Sequence, residues 1–176
     1  TFVKNILTVD ASGSAASSNV QCQAVIQNLF NYLFFAQPLA IDAQVVADEV
    51  NLPEFLKDSD QRTAEPSERV VNFNVNLKAN KVRYANFNAT DLNSVFTWQN
   101  RVLRATNVSF KSAGGAVSGN LEVDLNQAPY PVASNANFSK INVDDVFFQF
   151  NNFAQGFVTD QNLKGSANAK ISFLAQ

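Results

Sequence analysis

Histidine and methionine are absent from this chain, cysteine occurs once, and only 16% of the residues are charged. Without histidine, and with one thiol, Ser-His-Asp and Cys-His catalysis are excluded, together with the usual zinc and transition-metal ligand sets. The single Cys22 cannot form an internal disulfide, and its alternation with Val20, Ala24 and Ile26 reads as a small core position. Lys and Arg total 13 against 15 Asp and Glu, a net charge of −2, and the densest basic group is Lys78, Lys81 and Arg83. That leaves no sequence-level footprint for nucleic acid or an anionic membrane. No apolar run approaches the roughly 20 residues that span a bilayer, and no basic start followed by an apolar core marks a signal peptide. The chain has no initiator Met and opens inside an alternating run, Phe2 to Leu7, so a segment excised from a longer protein is expected.

What the chain does have is 16 Phe and 23 Asn. Asn is depleted in strands, so its abundance beside strand-like alternation points to polar outer faces and many turns. Asn-x-Ser/Thr triplets at Asn88, Asn107 and Asn137 match the number, about three, that chance gives for this composition, and carry no glycosylation inference. With 176 residues, one domain over 1–176 is expected, burying roughly 70% of its unfolded surface. The polar stretch 57–67, KDSDQRTAEPS, is the one candidate for a subdivision.

Taken in order, 1–9 alternates as a strand, and the Ser/Gly/Ala stretch 11–18 reads as a turn or a weakly specified strand. Residues 20–26 alternate again, and 28–35 turn helical, with Leu29, Phe30, Leu33 and Phe34 on one side until Pro38. From Leu39 the period returns to two, then Asn51-Leu52-Pro53-Glu54 has capping-box spacing for a short helix ending near Lys57. Beyond the polar stretch, Val71, Phe73, Val75 and Leu77 alternate with Asn72, Asn74, Asn76 and Lys78. Strands over 81–88, 94–99, 101–105 and 107–111 follow at the spacing of antiparallel meanders, then a Gly114-Gly115 turn and the alternation Val117, Gly119, Leu121, Val123, Leu125. A strand over 134–139 leads to a helix from Asn142 to Phe153. Asn142 is placed to cap it, Asp144 and Asp145 occupy its first turn, and Val143, Val146, Phe147 and Phe150 recur at helical spacing. Ala167, Ala169, Ile171 and Phe173 then alternate with polar residues as a last strand. Strand, helix, Gln-x-Leu and strand occur both at 20–39 and at 134–163, a loose internal repeat that predicts β units with a helix at each end.

Carboxylates are the remaining source of site chemistry. Asp58-x-Asp60 and Asp144-Asp145 lack the Gly and distal Glu of a calcium loop and read as loop and helix N-terminus; no pair stands out for glycoside hydrolysis. No glycine-rich loop joins a strand to a long helix for phosphate. Trp98, in Phe96-Thr97-Trp98, is either a sugar platform or a cross-strand packing residue. No catalytic residue, metal or cofactor is therefore expected. Many strands with one polar face and few helices to cover the other leave two architectures: a closed β-sandwich, or one strongly curved antiparallel sheet with two or three short helices.

The run Phe110-x-x-x-Gly114-Gly115-x-x-x-Gly119-x-Leu121, the helix at 142–153 and Asn162-Leu163-x-Gly165-x-Ala167 together resemble the C-terminal region of the AsmA family, relatives of TamB in the Gram-negative envelope. Ile26-x-Asn28, Tyr32, Leu39 and Asn51-Leu52-Pro53-Glu54-Phe55 resemble the preceding part of that region in Bacteroidetes-type members. The resemblance implies a periplasmic segment of a protein anchored in the inner membrane by an N-terminal helix, with a role in outer-membrane assembly. It also implies a β-groove for phospholipid or another acyl-chain ligand, with adjacent segments of the parent chain and envelope assembly proteins as further partners. The candidate groove residues are Phe73, Val75, Leu77, Phe110, Val117, Leu121, Val123, Ile171 and Phe173. A structural scaffold without lipid carriage is the alternative that the resemblance leaves open.

Overall fold

The computed structural model describes residues 2–3, 5–15, 18–56, 69–126 and 128–175. One sheet runs through the chain, its spatial order equal to chain order: β1 (Phe2–Val3), β2 (Ile6–Ala15), β3 (Ser18–Gln27), β4 (Leu39–Asn51), β5 (Val71–Tyr84), β6 (Phe87–Gln99), β7 (Val102–Ser112), β8 (Gly115–Asp124), β9 (Val132–Asn142) and β10 (Ser166–Ala175). Three short helices complete it: α1 (Leu29–Phe35), α2 (Leu52–Leu56) and α3 (Val143–Gln149), the last followed by a 3-10 turn over Asn151–Ala154. The protein is mainly β, with a curved sheet whose edges, β1 and β10, do not pair with each other. A closed sandwich does not form, because every described strand joins the same ladder and none is left to build a second layer.

The all-antiparallel expectation needs one correction. β4 and β5 are parallel, with Leu39 opposite Val71 and Ala47 opposite Ala79, because β5 begins at the end of the sheet where β4 began. The polar stretch 57–67, with Asp58 and Asp60, lies outside the described residues. All other neighbours are antiparallel.

The short strands expected between 81 and 111 are joined differently: 81–88 is divided by a turn at Ala85-Asn86 into the end of β5 and the start of β6, 94–99 lies within β6, and 101–105 and 107–111 are one strand, β7. Around Asp91 and Asn107, each in the left-handed region (φ 56° and 53°), the β6–β7 and β7–β8 registers shift. Lys140 (φ 55°) sits beside the β9–β10 shift. A bulge adds one residue and bends its strand. It also keeps the apolar set on one side: Ala105 and Val108, or Phe138 and Ile141, three apart, serve the same face. Neighbouring strands hold the freed N–H groups through asparagine. Asn107 N donates to Asn120 Oδ1 (3.1 Å) and Lys140 N to Asn168 Oδ1 (2.8 Å). Asn168→Ala is expected to cost about 1 kcal/mol, read as a fall in melting temperature of about 2–4 °C, while Asn168→Asp keeps the acceptor and most of the stability.

Much of the asparagine content now has a place. Asn5, Asn28, Asn100, Asn107, Asn151 and Asn152 take positive φ, which Asn tolerates better than most residues. Others face outward and bond across strands, as Asn74 Nδ2 does to Asp42 Oδ1 (3.2 Å) and Asn80 Nδ2 to Asp48 Oδ1 (3.4 Å). The helix at 142–153 is shorter than its apolar pattern predicts: α3 stops at Gln149, and residues 151–154 all have positive φ. Asn142 does not cap it by a side-chain bond to backbone; its Nδ2 donates to Asp145 Oδ2 (3.1 Å), and its own N–H is taken by the Ala113 carbonyl (2.8 Å). The turn read at Gly114-Gly115 sits one residue earlier, on Ala113 and Gly114, both with positive φ. Asn51 and Glu54 do meet at the start of α2, Asn51 Nδ2 to Glu54 Oε1 at 2.6 Å.

Burial is one-sided. The central cluster is Ala47, Ala79, Val82 and Ala89 on β4, β5 and β6, with Val20, Val50, Phe87, Leu92 and Phe110 packed around it. Its small side chains fit a crowded inner curve, and among the described residues no large side chain is fully buried. The accessible surface is 12039 Å², against roughly 8,500 Å² for a compact monomer of 19.3 kDa. A sheet that has one layer contributes to this excess.

Candidate functional site

The register places all nine candidate groove residues on one face. One row crosses six strands, Val75 opposite Phe96, then Ala105, Leu121, Ser134 and Phe173. In the next row Ile171 faces Ala136, itself opposite Gly119, and the row beyond it runs from Phe110 through Val117 to Phe138. Phe73 stacks on Trp98, its register partner, with ring centres 6.4 Å apart. Trp98 is therefore a cross-strand packing residue. Cys22 lies on the same face, half-buried between Ala11 and Val45.

Placement on one face does not make one pocket. Phe110, Val117 and Leu121 line a hollow of about 360 Å³ over β7, β8 and β9, within the roughly 300–1,000 Å³ of small-molecule sites. Val123 is next along β8 beyond it. Phe73, Val75 and Leu77 are half-buried on β5, and Ile171 and Phe173 are more than half exposed on the edge strand. The hollow also takes in residues that are not among the candidates: Val108, in phase with Phe110, Ile141, whose phase is reset by the bulge at Lys140, and Phe87, Val146 and Phe150. The signal for Val146 and Phe150 is the apolar face of the helix, a face with no partner surface until the sheet supplies one.

α3 closes one end of the hollow. Val146 packs on Ala113, Val117 and Ile141, and Phe150 meets Phe87 with ring centres 6.0 Å apart, Phe87 in turn meeting Phe110 edge-on at 6.1 Å. Gln149 Oε1 stands 3.0 Å from Ser112 Oγ, pinning the helix to the end of β7. The floor is low because Gly119 and Ala136 oppose each other. Gly119 is forced to be small: a Cβ there would run into the Asn135 carbonyl of β9. Among the described residues no charged side chain lines the hollow. Asp144 and Asp145 lie outside it, Asp144 3.4 Å from Lys164 Nζ. Among the described residues no group of three or more His, Cys, Asp or Glu is arranged to hold a metal ion, and no helix is long and apolar enough to cross a membrane.

What the arrangement can do follows from its chemistry. Its described lining offers hydrocarbon and aromatic surface, with polar tips such as Ser112, Ser134 and Gln149. Such a trough suits an extended alkyl chain. No family model, curated protein or solved structure matches the chain.

Proposed function

We propose that this chain is a non-enzymatic, lipid-handling segment of a bacterial envelope protein, and that its apolar face holds phospholipid acyl chains. The observation that carries the reading is the combination of an apolar face extending from β2 to β10 without a second layer and a hollow on it closed at one end by α3. A long acyl chain laid along it gains on the order of 10 kcal/mol at about 0.8 kcal/mol per buried methylene. The likeness to AsmA-family motifs supports the assignment to the periplasm, to a parent protein anchored in the inner membrane, and to lipid transport in outer-membrane assembly.

A second reading, a structural scaffold, rests on a different observation. β10 has an unpaired edge and exposes Ile171, Phe173 and Leu174. A further strand, from an adjacent segment of the parent chain or from an assembly protein, would extend the sheet there. Mass spectrometry of an organic extract, beside native mass spectrometry of the gently purified protein, separates the two. Stoichiometric phospholipid on a monomer is the expected result. A lipid-free protein that associates with rising concentration overturns the groove in favour of the scaffold.

A further inference from the structure

We propose that the α1 end of the sheet docks on a phospholipid bilayer, with α1 entering the headgroup boundary. The proposal does not depend on the groove holding lipid. α1 reads Leu-Phe-Asn-Tyr-Leu-Phe-Phe, with no charged residue, and none of its seven side chains is buried. Phe34 and Phe35 are 66% and 64% exposed, and Phe30 and Leu33 about half. Phe30 and Phe34 touch each other, ring centres 4.6 Å apart, so the aromatics form one tip. The tip is held rigidly: Asn5 accepts from Asn28 N (3.0 Å) through its carbonyl and from Phe30 N (2.7 Å) through Oδ1.

Two features point to a bilayer as the occupant. The first is what the fold gathers at this end. Arg69 lies over the Tyr32 ring at 5.4 Å and reaches the Leu33 carbonyl, which fixes a guanidinium beside the aromatic tip. Arg101, in the β6–β7 turn, and Tyr130, in the β8–β9 connection, stand at the same end, because Gln99 faces Val102 and Val123 faces Val132. Of the described acidic residues toward this end, Glu122 pairs with Arg104 (2.7 Å), Asp42 accepts from the Asn74 side chain, and Asp124 accepts from the N–H and side-chain amide of Asn126. Arg69 thus stands against the aromatic tip, with Arg101 and Tyr130 further along the same end of the sheet, the composition of a membrane-interface belt with a preference for anionic headgroups. The second feature is size. A helix about 10 Å long cannot supply the roughly 800 Å² per partner of a stable protein interface, whereas insertion into a bilayer needs only the tip. α3 closes the hollow at the opposite end, so the uncovered length of the apolar face leads toward α1.

The test is flotation of the purified chain with vesicles of equimolar phosphatidylcholine and phosphatidylglycerol, beside phosphatidylcholine alone. Wild type is expected to float with both and more with the anionic mixture, and Phe34→Ser/Phe35→Ser to partition about tenfold more weakly or less. Both side chains are exposed, so an unchanged circular dichroism spectrum is expected for the variant. As a second readout, Phe34→Trp in a Trp98→Phe background should be quenched by brominated acyl chains. Equal flotation of wild type and the double Ser variant, or no quenching, overturns the docking. Leu121→Glu separates this proposal from the groove: it should float as wild type does, whatever its content of co-purified lipid.

Discussion

Leu121→Glu is expected to remove co-purifying lipid, by at least about a hundredfold, from a protein that still folds. Leu121 is 37% exposed on the apolar face of β8, between Ala105 and Ser134, at the mouth of the hollow. A glutamate there can extend its carboxylate to water, so the apo sheet loses on the order of 1 kcal/mol, as for an ordinary partly exposed site. An acyl chain lying over it would strip that water, and an ionised carboxylate against hydrocarbon costs several kcal/mol. The lipid-bound state therefore bears nearly all of the penalty. Val123→Glu, one inward position further on, should act in the same direction, and Leu121→Met should change little. Val117→Glu is the useful contrast: Val117 is 9% exposed beneath α3, so the charge has no way out and the fold itself should fail. Quantifying phospholipid per mole of purified protein, with a melting curve for each variant, reads both effects. A folded Leu121→Glu protein with wild-type lipid content would sink the groove.

The second large effect is on folding. Gly119→Val is expected to destabilise by about 3–5 kcal/mol, because the added Cβ would occupy the place of the Asn135 carbonyl. The obstacle is backbone of the neighbouring strand, so no rotamer change relieves it. The β8–β9 ladder must open around Gly119 and Ala136, and with it the seat of α3, which rests on Val117 and Ile141 from those two strands. Gly13→Val is the control. Gly13 lies in β2 opposite Val20, with nothing within 4 Å of an added Cβ, and a β-branched residue suits a strand. Urea unfolding of the two variants should give a large drop for the first and no loss for the second; equal midpoints would show that β8 and β9 are not as close as the register places them.

Alternation along each strand is legible in the sequence alone. Val71 to Leu77, Val117 to Val123 and Ala167 to Phe173 carry a period of two in their own side chains, and a strand with one wet face follows from that. The same periodicity puts nine groove candidates on one side of the chain, and the register unites them because their rows stay in phase. Exclusion of histidine chemistry, the presence of short helices and the outward asparagines likewise need only composition and spacing. The positions of the bulges are not legible. Asp91, Asn107 and Lys140 take left-handed conformations because neighbouring strands, not their own sequence, accommodate the extra residue, two of them through Asn120 and Asn168. Residues downstream of a bulge change phase, which is why Ile141 escapes the alternation of 134–139 and still lines the hollow, whereas Val108 shares the phase of Phe110 and is legible from it. Tertiary structure also decides that β4 and β5 run parallel and that the sheet remains a single open layer, since both depend on where a returning chain meets an edge. The same holds for the helices: apolar faces on α1 and α3 are visible in the sequence, but only the fold sets α3 against β7, β8 and β9 as the end of a trough and leaves α1 exposed beside Arg69, because burial is a property of what lies opposite a side chain.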